Sequence, residues 1–220
     1  MLIISDFDGT LSPKDVGYKV LRHFAADDGW EIISQAYEAG EVGSQEAYTR
    51  AASLFRVSRE EMLRYVESFG TIDPYFRNFY DFCTENSFDV KIVSDGLDFY
   101  IEAILKKYDL QEIEYYANAV IFHTDETLSI EFPYRNVDCN KCGNCKSSIL
   151  EKCRSVYEKI IYIGDGHSDV CPALKADVVF AKNILYRKCL ENGKECILYS
   201  NFGDIKKCFT KDGVHVTPRK

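Results

Sequence analysis

Residues 2–11, LIISDFDGTL, carry a short apolar run straight into two aspartates spaced by one residue and a Gly-Thr turn. Side chains alternate along a strand, so Asp6 and Asp8 are expected on the same side at its carboxyl end. Gly9 lets the chain turn sharply just beyond them. Two adjacent carboxylates repel each other, and one is driven to hold a proton unless a cation neutralises the pair. The arrangement suits a nucleophilic carboxylate, a neighbouring acid/base and a hard metal ion working on a phosphoryl group.

Further apolar runs extend this first strand into a sheet: VKIVS (90–94), KIIYIG (159–164), DVVFA (177–181) and ECILY (195–199). Short, β-branched-rich runs of this kind suit parallel strands buried on both faces. Between them, residues 97–108 and 146–157 repeat apolar side chains at helical spacing. Strands alternating with helices predict a doubly wound parallel α/β sheet with right-handed crossovers. Residues 14–71 break the rhythm with at least three helical stretches and no good strand. The last, SREEMLRYVESF, opens on a capping box from Ser58 to Glu61. An all-helical insertion (14–71) into an α/β core (1–13 and 72–212) follows, with Asp73-Pro74 marking the return. Residues 118–135 predict a β-hairpin, and residues 213–220 a loose tail.

The chain has 220 residues, enough for one domain carrying a small insertion. Apolar residues make up 46% and charged residues 28%, an ordinary globular balance. No apolar run is long enough for a membrane span. A net charge of -8 argues against nucleic acid as a partner, but not against a small phosphorylated metabolite met by a local cation. Nine cysteines cannot all pair within the chain. With no basic flank or small-residue cleavage site before the first strand, reduced thiols in a cytoplasmic enzyme are expected.

Three further motifs fall at strand ends, where an α/β sheet places its chemistry. Ser94-Asp95-Gly96 offers a hydroxyl and backbone amides before a helix, a setting that suits an anion. Lys146 precedes another helix start, where it can meet a phosphate or offset carboxylate repulsion. GDGHSD (164–169) sets Asp165 on a strand-end loop and Asp169 four residues later. Each motif alone is a common polar turn; their order, each closing a strand or opening a helix, points to catalysis.

In that order, DFDGT, Ser94, Lys146 and GDGHSD resemble the four motifs of the haloacid dehalogenase superfamily of phosphatases, over essentially the whole chain. The resemblance implies a Rossmann-like core with the helical insertion as a cap domain. Asp6 would be the nucleophile and Asp8 the acid/base. Mg²⁺ would be held by Asp6, the Asp8 carbonyl and Asp165. Gly9, Thr10, Ser94, Asp95 and Lys146 would bind phosphate, and Asp169 would orient the site. The chain is similar to the phosphoserine-phosphatase-like branch. CNKCGNCK (139–146) and SDGLDFYIEAIL (94–105) are similar to methionine-salvage phosphatases of 2-hydroxy-3-keto-5-methylthiopentenyl 1-phosphate.

For the substrate, Asp15 stands where phosphoserine phosphatases carry a Glu that contacts the substrate amine, and Ser168 where they carry an Asn. An amine-containing substrate (phosphoserine, phosphoethanolamine or phosphocholine) is therefore the alternative to the enol phosphate. Arg50 and Arg56 read as exposed helix arginines, and His167 as a loop residue. Phosphotransfer, phosphonate cleavage and a non-catalytic metal-binding role are the other classes consistent with these motifs. The spacing Cys139-x₂-Cys142-x₂-Cys145 suits Zn²⁺, an iron–sulfur cluster, a redox site at Cys145 or simply reduced thiols. Any metal there needs a fourth ligand from elsewhere, with His123 or Cys153 as candidates.

Overall fold

Leu2, Ile3 and Ile4 have no solvent exposure because the strand they form, β1 (Leu2–Ser5), lies at the middle of a sheet covered on both faces. In the computed structural model, which describes residues 1–139, 141–210 and 213–214, six more strands join it. They are β2 (Asp89–Leu97), β3 (Glu114–Phe122), β4 (Leu128–Glu131), β5 (Ile160–Gly164), β6 (Val178–Ala181) and β7 (Ile197–Leu198). The order across the sheet is β4-β3-β2-β1-β5-β6-β7. All neighbours are parallel except β4, which runs antiparallel to β3.

The period-two alternation divides β1 between two cores. Ile3 faces one cluster, with Phe76 and Phe79 of α5 (Phe76–Glu85), Ile101 and Ile104 of α6 (Asp98–Lys107), and Phe202 and Ile205 of α10 (Phe202–Lys207). Leu2 and Ile4 face the other. There they meet Ile149 and Leu150 of α7 (Lys146–Cys153), Ala173 of α8 (Val170–Lys175), and Leu185 and Cys189 of α9 (Asn183–Glu191). This is the doubly wound arrangement the alternating pattern predicts.

Between β1 and α5 lie four helices: α1 (Val16–Phe24), α2 (Gly29–Glu38), α3 (Ser44–Ala52) and α4 (Arg59–Phe69). The Ser58 hydroxyl caps α4 by accepting from the Glu61 amide at 3.3 Å. These helices have no core of their own. Val16, Val20, Ile33, Phe55, Met62 and Val66 belong to the same cluster as Ile3 and Phe76.

The region at 118–135 differs from expectation. It forms a hairpin, but its first strand starts at Glu114 and is a full member of the main sheet, paired in parallel with β2. Tyr115, Tyr116 and Asn118 break the apolar run that would mark a buried strand, and Asn118 is buried because it bonds to Asp95. At the tail, β8 (Phe209–Thr210) pairs with β9 (Gly213–Val214); residues 211, 212 and 215–220 of the expected tail lie outside the described residues.

Candidate active site

The carboxyl ends of β1, β2 and β5 meet at one place, as the topology requires where crossovers leave a central strand in opposite directions. Asp6 and Asp8 lie just past β1, in the turn and not in the strand itself. They still reach the same cavity. The Asp6 amide continues the sheet pairing by donating to the Ile163 carbonyl at 2.9 Å. Gly9 follows at φ +73°, and a side chain there would collide with the Asp165 carboxylate at 2.5 Å. Only glycine supports this turn against that neighbour.

Lys146 opens α7 beneath this turn. Its buried ammonium donates to Asp6 Oδ1 at 2.7 Å and to Asp169 Oδ1 at 2.6 Å. Asp169 is completely occupied: Oδ1 also accepts from the Tyr162 hydroxyl at 2.7 Å, and Oδ2 accepts the amides of Asp165 and Gly166, each at 2.9 Å. Burial pushes the Asp169 carboxyl up, but the Lys146 charge and these donors outweigh it and hold it below the usual range. Asp6 moves the other way. Burial, then the Asp169 charge, raise it against the pull of Lys146. Burial and Asp169 likewise raise Asp165.

Lys146 bonds to two of the three carboxylates, and the charge of Lys182 also pulls on Asp165, but burial and the Asp169 charge outweigh both cations at Asp6 and Asp165. Ligand oxygens of Asp6, Asp165 and Asp169 lie within 4.8 Å of one another. With Asp169 saturated, Asp6 and Asp165 are the pair that can hold a cation, and an oxygen-only donor set fits Mg²⁺. Asp165 is itself held by the Thr10 hydroxyl at 3.0 Å and by Asn183 Nδ2 at 3.2 Å.

Asp8 is fixed at both oxygens. The Val16 amide at the start of α1 donates to Oδ1 at 2.7 Å, and the Tyr100 hydroxyl donates to Oδ2 at 2.5 Å. Burial, then the neighbouring Asp15 charge, bring its carboxyl to about 7. Asp15 caps α1 by accepting the Tyr18 amide at 2.8 Å, and burial raises it too.

Past the end of the regular β2 ladder, where the register shifts between Val93 and Leu97, Ser94 Oγ accepts the Gly96 amide at 2.9 Å. The Asp95 side chain bonds away from Ser94 and Gly9, toward the loop before Lys146. It is buried, and its Oδ1 accepts the Asn144 amide at 2.8 Å and Asn118 Nδ2 at 3.2 Å. Asn144 Nδ2 in turn donates to the Ser94 carbonyl at 2.7 Å, so the loop before Lys146 braces the irregular end of β2.

These groups floor a cavity of about 330 Å³ whose far walls come from α1, α2 and α3. Val20, Leu21, Ile33, Ala47 and Phe55 make it largely apolar, with Tyr18, Tyr37 and Tyr48 among them. Asp15, Glu38, Ser34, His167 and Ser168 add polar groups, and among the described residues no Lys or Arg lines it. Arg50 of α3 pairs with Glu46 in solvent, as an exposed helix arginine does, whereas Arg56, also exposed, lies in the loop between α3 and α4 and bonds to the Phe55 carbonyl.

The structure thus gathers Asp6, Asp8, Gly9, Asp15, Ser94, Asp95, Asp165 and Ser168 at one cavity, with Lys146 and Asp169 beneath it. Thr10 is buried, and its hydroxyl serves Asp165. His123 bonds to Ser129 in the hairpin and Cys153 packs in the second core, so neither joins the cysteine loop. Tyr100, Tyr162, Asn144 and Asn183 escaped sequence reading. Tyr100 and Tyr162 look like core residues by spacing, and nothing local marks the two asparagines.

The family model described as "Putative Phosphatase" matches residues 1–195. The chain is 30% identical to a 2-hydroxy-3-keto-5-methylthiopentenyl-1-phosphate phosphatase of Brevibacillus brevis, covering 93% of each. It is also 30% identical to the Bacillus pumilus protein of that name, covering 94% of this chain and 90% of that one. A solved structure described as a phospho-aspartyl intermediate analogue of phosphoserine phosphatase shares the fold, with a TM-score of 0.71 at 22% identity. The match covers 94% of this chain and 97% of that one. A HAD family hydrolase from Salmonella enterica superposes with a TM-score of 0.73 at 20% identity, over 93% and 69% of the two chains. The chain belongs to this phosphatase family, on a haloacid dehalogenase fold. Its class is phosphoric monoester hydrolase. Among the described residues, no helix is long and apolar enough to cross a membrane.

Proposed function

We propose that the chain hydrolyses a small phosphomonoester through an aspartyl-phosphate on Asp6, with Asp8 as acid/base and helices α1–α4 as a cap over the site. The observation that carries this reading is the unequal bonding of the two carboxylates. Lys146 takes only Asp6 Oδ1, leaving Oδ2 for attack, whereas both oxygens of Asp8 are pinned at the cavity floor. Asp6 attacks phosphorus and the ester P–O bond breaks. Asp8, raised to about 7, gives its proton to the leaving oxygen. A water then attacks the phosphorus of the aspartyl-phosphate and yields a proton to Asp8; the P–O bond to Asp6 breaks, releasing phosphate and restoring the Asp6 carboxylate and the protonated Asp8. Asp6 and Asp165 would hold Mg²⁺, which supplies positive charge against the phosphoryl oxygens. Ser94 and Lys146 would stabilise those oxygens as they gain charge, and the proposed cap helices would exclude competing water.

For the substrate, we take the methionine-salvage enol phosphate named in the relatives. The apolar wall of Val20, Leu21, Ile33 and Phe55 suits an uncharged thioether tail, and among the described residues no Lys or Arg lines the cavity to meet a second anionic group. That same lack disfavours phosphoserine, whose carboxylate would go unpaired. A second reading is supported by Asp15 and Glu38 among the cavity tyrosines: a leaving group carrying a cation, such as ethanolamine or choline.

A panel of phosphomonoesters with wild type and Asp6→Asn tests both. Turnover of the enol phosphate above the amine esters, abolished in Asp6→Asn, supports the first reading. Preference for phosphocholine or phosphoethanolamine, lost in Asp15→Asn, moves the assignment to the second. Activity that survives Asp6→Asn refutes the mechanism.

A further inference from the structure

The loop that leads into Lys146 carries three cysteines that the phosphatase chemistry does not use. Cys145 caps the start of α7, and Cys139 and Cys142 precede it at intervals of two intervening residues. A fourth thiol reaches the same corner from a distant part of the chain. Cys171 sits in the first turn of α8, which packs against α7. The two segments are pinned together: Lys146, next to Cys145, bonds at 2.6 Å to Asp169, two residues before Cys171. Burial, then Asp95, then the thiols of Cys139, Cys145 and Cys171 push the Cys142 thiol up to about 12, so all three lie within electrostatic reach of it. The remaining cysteines are elsewhere, with Cys83, Cys153 and Cys189 in the two hydrophobic cores.

We propose that Cys139, Cys142, Cys145 and Cys171 form a four-thiolate site for a soft divalent cation, with Zn²⁺ as the ligand tested. Spacings of two residues in a loop, closed by a thiol from elsewhere in the fold, fit the ligand spacing typical of tetrahedral zinc. Cys139 and Cys171 are exposed, Cys142 is partly exposed and Cys145 is buried, so an ion can enter from solvent and find ligands at increasing depth. Among the described residues the only three ligand atoms already within 4.8 Å of one another are those of Asp6, Asp165 and Asp169. No three of the four sulfurs lie that close, so the proposed site must close around the ion, each thiol releasing its proton as its bond to the metal forms. Sulfur ligands also separate this site chemically from the oxygen-lined magnesium pair.

Such an ion would act by positioning. The loop it fixes touches the helical layer as well as the catalytic floor. The Lys141 carbonyl accepts the Gln45 amide at 3.4 Å, the Gly143 amide donates to Ser44 Oγ at 2.9 Å, and a side chain at Gly43 would strike the Lys141 carbonyl at 2.0 Å. A metal clamp here fixes the start of α3 and the base of Lys146 together.

The test is cobalt titration of the reduced full-length protein in excess Mg²⁺, followed by zinc displacement. One cobalt per chain is expected, with tetrahedral thiolate charge-transfer and d–d bands that zinc removes. Cys142→Ser and Cys171→Ser are expected to lose that spectrum, and Cys196→Ser to keep it. Circular dichroism checks that each variant is folded. Alkylation of wild type followed by mass spectrometry needs no variant: zinc should protect these four cysteines, and a chelator should expose them again. No thiolate spectrum, a spectrum unchanged by Cys171→Ser in a folded protein, or alkylation of Cys171 at the same rate with and without zinc overturns the proposal.

Discussion

Tyr100 places its buried hydroxyl 2.5 Å from Asp8 Oδ2, joining the first turn of α6 to the carboxylate beyond β1. This bond favours the charged form of Asp8 and fixes the direction of its other oxygen. In Tyr100→Phe the Asp8 carboxyl rises above its present value near 7. Loss of a hydrogen bond to a charged group is worth about 1.5–3 kcal/mol, so kcat is expected to fall about tenfold or more. The limb of the pH–rate profile that reports Asp8 moves to higher pH. Profiles of kcat for both proteins check this; an unmoved limb separates Tyr100 from the acid/base.

Lys146 neutralises two buried carboxylates at once. Lys146→Met leaves Asp6 and Asp169 without their cation, a loss of about 3–5 kcal/mol in folding stability. Turnover should disappear with it. Adding Asp169→Asn to Lys146→Met should recover part of the stability and none of the activity. Urea unfolding of the single and double variants measures the difference.

Asp165 and Asp169 both lie close to Asp6, yet their bonding predicts different roles. Asp165→Asn should abolish magnesium binding in a calorimetric titration. Asp169→Asn keeps the pair of ligands but disturbs the amides of Asp165 and Gly166, for which an affinity loss of about 10–100-fold is expected. Equal losses would make Asp169 a ligand.

Stability without magnesium should fall as pH rises. Burial raises Asp6 and Asp8 in the folded chain, Asp8 to about 7. Both therefore bind protons there that the unfolded chain has already released. Their contribution is complete below the ordinary carboxylate range of about 4 and is lost as pH climbs through about 7. Magnesium binds the ionised forms and reverses the trend. The rise in melting temperature on adding Mg²⁺ should be larger at pH 8 than at pH 5; scans with a chelator and with Mg²⁺ at both values decide.

The sheet was readable because β1, β5 and β6 are short apolar runs with both faces buried, a pattern that depends on neighbours in sequence alone. β3 was not, since Asn118 is polar by sequence and is buried only through a partner at Asp95. Asp6, Asp8, Lys146 and Asp165 stood out because each closes a strand or opens a helix. Tyr100 and Tyr162 did not, because a tyrosine at core spacing looks the same whether its hydroxyl meets a carboxylate or nothing. The fourth cysteine was missed for a similar reason: Cys171 is near the loop only because Lys146 binds Asp169. Long-range bonding of this kind has no local signature.

The central position of β1 also governs how the chain can assemble. Leu2 pairs with Asp89 on one side and with Ile160 on the other, so this strand waits for two partners that leave the ribosome well after it. Contacts this distant slow folding and leave an apolar edge exposed in the meantime, where chaperones bind and aggregation begins. Until the segments carrying Lys146 and Asp165 arrive, Asp6 is an ordinary solvated carboxylate. A nascent or truncated chain ending before Lys146 would thus carry the DFDGT motif and no activity.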